Sequence, residues 1–227
     1  MAIRLPVFAL HCTLLAGSKT VMPVLAAHMW EEGFRRPQGV LRFGLAGLAG
    51  VGRKLRLLSR EGYTEYGTRL ILGWLAGLRP EEAAPFFRES ARRLLASTRT
   101  STAGEIGLRQ QEGYRTVILS ATIQPFLEEI ARHLNCDAVG TPIALTPDGR
   151  ITGDLAGPYC SGPGKLTTLQ RWAERLDQPV DWEGSVAYGD TLPDLPVLEA
   201  VGTAVAVAPD PDLYSIATQR GWRLLDG

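Results

Sequence analysis

Arg115-Thr-Val-Ile-Leu-Ser120 is a β-branched, apolar run; Pro125 to Leu134 then carries apolar residues at helical spacing, and Asp137-Ala-Val-Gly-Thr141 is apolar again. Strand, helix, strand in 27 residues is a β-α-β unit, which joins two parallel strands through a crossover helix. Further along, Ile143-Ala-Leu145 and Arg150-Ile-Thr152 flank Pro147-Asp148-Gly149, the composition of a small hairpin. A helix is predicted over Leu166 to Leu176, a strand over Ser185-Val-Ala-Tyr188, a short helix over Pro193 to Val201 and a last buried strand over Thr203-Ala-Val-Ala-Val207. Toward the N-terminus, Leu5-Pro-Val-Phe-Ala-Leu10 is a short buried strand that tolerates Pro6 near its start. Apolar strands alternating with helices imply an α/β fold: a mainly parallel sheet with helices on both faces. In such a sheet ligands gather at the carboxyl ends of the strands, so the loops after Leu10, Leu119 and Tyr188 should converge.

Between about Ser18 and Glu112 strand signals nearly vanish. Apolar residues recur at helical spacing, as in Val40, Leu41, Phe43, Leu45 and Leu48, or Phe86, Phe87, Ala91, Leu94 and Leu95. This is a helical insertion, whose Gly44, Gly47, Gly50 and Gly52 mark a bend or close packing.

Composition narrows the function classes without choosing one. Lys plus Arg and Asp plus Glu number 24 each, so no global field favours nucleic acid or anionic lipid. Cys12, Cys136 and Cys160 are widely spaced with no C-x-x-C pair, which argues for a reducing, cytoplasmic compartment and against a zinc site. Arg4 and the apolar run through Ala16 imitate a secretory signal, but His11, Cys12 and Lys19 interrupt it. No stretch reaches the roughly 18 apolar residues of a membrane span. Trp30, Trp74, Trp172, Trp182 and Trp222 are scattered and read as packing residues, and His28 and His133 have no partner at metal spacing.

Three of the converging loops carry groups suited to an anion and a hard cation. Ser120 ends its strand and opens Ala121-Thr122, so its hydroxyl and the following backbone N–H groups face an anion at a helix start. Lys165 follows Gly162-Pro-Gly164 at the start of a helix, where its ammonium can neutralise phosphate. Gly189-Asp190-Thr-Leu-Pro-Asp194 sets two carboxylates four residues apart on a loop, a way to hold magnesium. Taken singly these are a helix cap, a surface lysine and a common turn. Together, in this order, they resemble the second, third and fourth motifs of the haloacid dehalogenase superfamily. Among its subgroups the chain looks most like the phosphoserine-phosphatase-like branch, whose helical cap is inserted between the first and second motifs. That resemblance assigns residues 1–17 and 113–227 to the core domain and 18–112 to the cap.

The first motif departs from the family. There the strand runs into Asp-x-Asp-x-Thr, with a small residue, usually glycine, before the threonine; this chain reads Phe8-Ala9-Leu10-His11-Cys12-Thr13-Leu14-Leu15. The strand before and the Thr-Leu-Leu after fix the register, so the family's nucleophilic aspartate corresponds to Ala9 and its acid/base aspartate to His11. The resemblance implies an attack by the first aspartate on phosphorus and proton transfer by the second, neither of which a methyl group performs. It also implies a magnesium site weakened to Asp190, Asp194 through water, and the backbone carbonyl of His11. The leading expectation is a non-hydrolytic or impaired homologue that binds a phosphorylated small molecule through Ser120, the Ala121 backbone and Lys165. Two alternatives stand beside it: an active phosphomonoester hydrolase using His11 or Cys12 in a rearranged site, and an interaction or scaffold protein whose cap binds a partner. Arg35-Arg36, Arg53, Lys54, Arg56 and Arg92-Arg93 put positive charge on the cap, and Arg53, Lys54 and Arg56 are candidates for an anionic group of the ligand. Glu31-Glu32 lies too far beyond the first motif to transfer serine recognition.

Overall fold

A computed structural model describes residues 2–15, 21–33 and 60–226. The expected helix around Leu45, its glycines, and the basic residues Arg35, Arg36, Arg53, Lys54 and Arg56 lie outside the described residues. Strands β1 (Pro6–Ala9), β2 (Val117–Ile123), β3 (Asp137–Thr141), β6 (Val186–Gly189), β7 (Thr203–Val207) and β8 (Arg223–Leu225) form one six-stranded sheet in the order β3-β2-β1-β6-β7-β8. Every neighbouring pair in it is parallel. The short β4 (Ile143–Leu145) and β5 (Ile151–Leu155) make the expected antiparallel hairpin.

Eight α-helices are described: α1 (Val21–Gly33), α2 (Arg60–Leu75), α3 (Pro80–Leu95), α4 (Thr100–Gln111), α5 (Gln124–His133), α6 (Pro163–Ala173), α7 (Leu195–Leu198) and α8 (Pro211–Gln219). Alternation along the strands splits the core in two. Phe8, Ile118, Tyr188 and Val205 face an apolar cluster with Phe87 and Leu94 of α3, Ile106 of α4 and Phe126 and Ile130 of α5. Leu5, Val7, Leu119, Ala187 and Ala206 face the other, with Leu169 of α6, Leu198 of α7 and Leu213 of α8. Both faces are therefore covered, which is why these strands read as continuous apolar runs rather than alternating ones. Helices between β1 and β2 thus help cover the sheet: α3 packs along α5, α1 rests on α3, and α2 lies against β5.

Two details differ from the sequence reading. β2 does not end at Ser120; it runs to Ile123 through a register shift after Leu119, and α5 opens only at Gln124-Pro125. The shift is accommodated at Gly140 of β3, where a Cβ would stand 2.6 Å from the Thr122 carbonyl oxygen. Thr203–Val207 is not the last strand, because α8 returns the chain to β8 on the sheet's edge. Arg223 and Leu224 are exposed there, so the segment lacks the apolar run that marks the inner strands.

Candidate active site

The strand register lines up the ends of three strands. Ala9 stands beside Leu119, and Phe8 beside Tyr188, with the Phe8 and Tyr188 rings stacked 4.2 Å apart. The register shift at Ser120, the segment after Ala9, and Asp190 after β6 accordingly lie side by side at the sheet's carboxyl edge.

After Ala9 the chain makes a single π-turn, Leu10–Leu14, closed by the Leu15 N–H donating to the Leu10 carbonyl at 3.2 Å. His11 is extended within it and Cys12 is left-handed at φ 52°. A glycine takes that conformation without strain, whereas a cysteine carries about 1–2 kcal/mol, which explains in backbone terms why the family pattern has a small residue there. The next residue, Thr13, is fully buried, and its hydroxyl donates to Asp190 Oδ1 at 2.7 Å. First and fourth loops are thereby tied directly.

Lys165 is the third residue of α6 and 8% exposed; it forms an ion pair with Asp194. Asp194 Oδ2 also accepts the backbone N–H groups of Asp190 at 3.1 Å and Thr191 at 3.2 Å. Gly189 makes this folding-back feasible, since a Cβ there would lie 2.6 Å from that of Asp194. Burial pushes the Lys165 ammonium toward deprotonation, but the Asp194 carboxylate more than offsets it and holds the lysine above its ordinary range. Beside them the Cys160 thiol is pushed up to about 11, chiefly by burial, so it is an inert neighbour at neutral pH.

Ser120 is 1% exposed and its oxygen accepts the Thr122 N–H at 3.1 Å. The hydroxyl thus holds the bulged end of β2 instead of capping a helix, while its proton remains available to an anion. Ala9 is 4% exposed and borders a void of about 10 Å³ lined also by Val7, Leu119, Ala187, Tyr188, Asp194, Val197 and Leu198. That is at most the room of one water, in a mostly apolar wall whose one charged side chain is Asp194.

The donor set suits magnesium poorly. Of the two carboxylates, Asp194 is committed to Lys165 and two N–H groups, and one oxygen of Asp190 to Thr13. Among the described residues no three His, Cys, Asp or Glu side chains cluster as a metal site. Elsewhere, His28 is buried against Ser90 at 2.7 Å and stacks on Phe86, and His133 bonds the Glu129 carbonyl, both packing roles. Glu31 pairs with Arg93 rather than facing this site.

Comparison with known proteins settles the lineage. The sequence pattern of the haloacid dehalogenase-like hydrolases matches residues 11–199. The chain belongs to this family. Within it the chain falls in the phosphoserine-phosphatase-like branch. It is 30% identical over 176 residues to a phosphoserine phosphatase of Mycobacterium tuberculosis, covering 76% of this chain and 56% of that one. It is also 30% identical over 155 residues to a histidinol-phosphatase of Neisseria meningitidis, covering 67% and 70%. The chain thus spans little more than half the length of the mycobacterial relative. Solved structures share the fold: a Bordetella pertussis protein of unknown function with a TM-score of 0.80 at 24% identity over 100% and 99% of the two chains, and a substrate-bound phosphoserine phosphatase with 0.62 at 19% identity over 99% and 93%. Among the described residues no helix is long and apolar enough to cross a membrane.

Of the sequence-predicted family residues, Ala9 ends β1 and Ser120 lies within β2, while His11, Lys165, Asp190 and Asp194 lie on the loops, turns or helix starts that follow strands. What sequence reasoning missed is the Thr13–Asp190 link, the role of Asp194 as the partner of Lys165, and a set of polar side chains from α4 that hold the first loop: Arg99 Nε donates to the Cys12 carbonyl at 2.9 Å and the Thr102 hydroxyl to the Thr13 carbonyl at 2.7 Å. Their regular spacing in the sequence was the available signal.

Proposed function

We propose that this chain binds a phosphorylated small molecule at the carboxyl edge of the sheet and does not hydrolyse it through an aspartyl-phosphate. The observation that carries the reading is the buried Ala9 methyl at the end of β1, level with Leu119 just before Ser120 and sharing a small void with Asp194, the partner of Lys165. In the family mechanism this position attacks phosphorus, and alanine has no lone pair to offer. The remaining groups suit binding: the Ser120 hydroxyl can donate to a phosphate oxygen, the Ala121 backbone can add an N–H, and the Lys165 ammonium supplies the positive charge. Magnesium, where a family member binds it, neutralises phosphate charge. Here Asp190 with the His11 carbonyl would hold it weakly, and no step depends on it. Residues 18–112 are taken as the helical insertion that sets what can reach the edge. Localisation in the cytoplasm is part of the same proposal, from three widely spaced cysteines with no C-x-x-C pair.

The test is isothermal titration with inorganic phosphate and with vanadate, with magnesium and with EDTA. The expected result is binding in the millimolar range or tighter that changes less than about tenfold, or 1.4 kcal/mol, between the two conditions. No heat at high millimolar phosphate in either condition contradicts the reading. The names of the relatives favour a second reading, a working phosphomonoester hydrolase with His11 as acid and base. Phosphate release that disappears in His11→Ala would support it.

A further inference from the structure

Arg99, Thr102, Glu105 and Arg109 follow one another at three, three and four residues, the spacing of one helix face, from the N-cap of α4 to its last turn. Two of them reach the first loop and two reach Tyr188, on the strand that leads into the fourth. Arg99 and Thr102 hold the carbonyls of Cys12 and Thr13. Tyr188 donates its hydroxyl proton to Glu105 Oε2 at 2.8 Å, and Arg109 Nε donates to the Tyr188 oxygen at 3.3 Å. Arg223 on β8 closes the far side on Glu105 at 2.6 Å. Tyr188 lies two residues before Asp190, which receives the Thr13 hydroxyl. The bonds therefore form a closed circuit: α4 to Thr13, Thr13 to Asp190, the backbone to Tyr188, and Tyr188 back to α4.

Stability alone gives little reason for such a circuit. The Glu105 side chain is only 11% exposed, and replacing a buried ionic group by well-packed apolar residues is often neutral or stabilising. A fully bonded buried network does, however, fix positions more narrowly than apolar packing. Titration does not loosen it near neutrality. Burial raises the Glu105 carboxyl, but Arg223 and Tyr188 outweigh that and leave it below its ordinary value, while burial drives the Tyr188 phenol up to about 12.

We infer that α4, which carries none of the family's four motifs, is the positioning element of this site: Thr102 fixes the first loop, Glu105 fixes the strand end that leads into the fourth, and the helix between them sets the separation of the two loops beside a bound phosphate. The ligand in this statement rests on the proposed function; the bracing of the loops does not.

Two readouts keep these separable. Alkylation of Cys12, followed by peptide mass spectrometry, reports the first loop whether or not phosphate binds, with Cys136 and Cys160 as internal references. In Thr102→Val the Cys12 labelling rate should rise about tenfold, the order of one lost buried hydrogen bond, with the reference cysteines unchanged and phosphate affinity reduced by a similar factor. Thr102→Ser should restore both, and Glu105→Gln should weaken phosphate binding while leaving Cys12 labelling closer to wild type. Unchanged Cys12 labelling in Thr102→Val, or an equal rise at all three cysteines, overturns the inference. Wild-type protein that binds no phosphate overturns the proposed ligand, and the labelling arm then decides the brace by itself.

Discussion

In the Ala9→Asp/His11→Asp double variant, phosphomonoester hydrolysis should emerge from background by several powers of ten, toward the roughly 10⁶ that loss of a nucleophile costs an enzyme whose other groups are intact. The void beside Ala9, about 10 Å³, holds at most one water, so a carboxylate at position 9 fits only by opening toward the carboxyl edge, where Ser120 and Asp190 follow one residue further along their strands. Asp194, the partner of Lys165, lines the same void. A cost accompanies the gain. Four carboxylates then share a poorly solvated region with one ammonium, so at neutral pH and without a cation the variant should be less stable than wild type, and magnesium should recover the difference. Malachite-green detection of phosphate release together with thermal melts, both with and without magnesium, checks the two parts. A folded double variant that stays inactive would mean that the site has changed beyond positions 9 and 11.

Lys165→Ala should be the most damaging single substitution at the site. Removing one partner of a buried ion pair strands the other, and the expected loss is about 3–5 kcal/mol. Asp194 would keep the N–H groups of Asp190 and Thr191 but lose its countercharge. Phosphate affinity should fall with it, because the nearest cation is gone. The pair also has a predictable pH dependence. A lysine whose folded pKa is raised contributes its stability fully below the ordinary value of 10.5 and loses it as pH climbs through the higher folded value, so the advantage of wild type over the variant should hold at neutral pH and shrink only in strong alkali. Urea unfolding of both proteins across that range measures this. Equal midpoints at pH 7 would show that the pair is not what holds α6 to the fourth loop. Lys165→Ala/Asp194→Ala should recover part of the loss, since it leaves no stranded charge.

Much of this arrangement is legible in the sequence, and for physical reasons. β1, β3, β6 and β7 read clearly because strands buried on both faces must be apolar throughout, and Ser120, Lys165, Asp190 and Asp194, each ordinary alone, stood out together by their order along the chain. The first-motif departure was equally plain, with the strand before and Thr13 after holding Ala9 and His11 in register. Tertiary contacts were not legible. Nothing local says that Asp194 turns back on Lys165, that Thr13 reaches Asp190, or that Ser120 holds a bulge. The apolar stripe Phe86, Phe87, Ala91, Leu94 and Leu95 announced a buried helix face but not that it lies on α5 over the sheet. Glu105, Arg109 and Arg223 look like solvated charges until Tyr188, a strand residue 79 positions past Arg109, is seen between them.

The central claim, that a methyl group at position 9 leaves a phosphate site without its nucleophile, is tested most directly by phosphate release from a panel of phosphomonoesters with the wild-type protein. The expected rate is that of the blank, far below the roughly 1 s⁻¹ at which ordinary enzyme turnover begins, with magnesium present or absent. Sustained turnover in that range that is abolished by Lys165→Ala would contradict it.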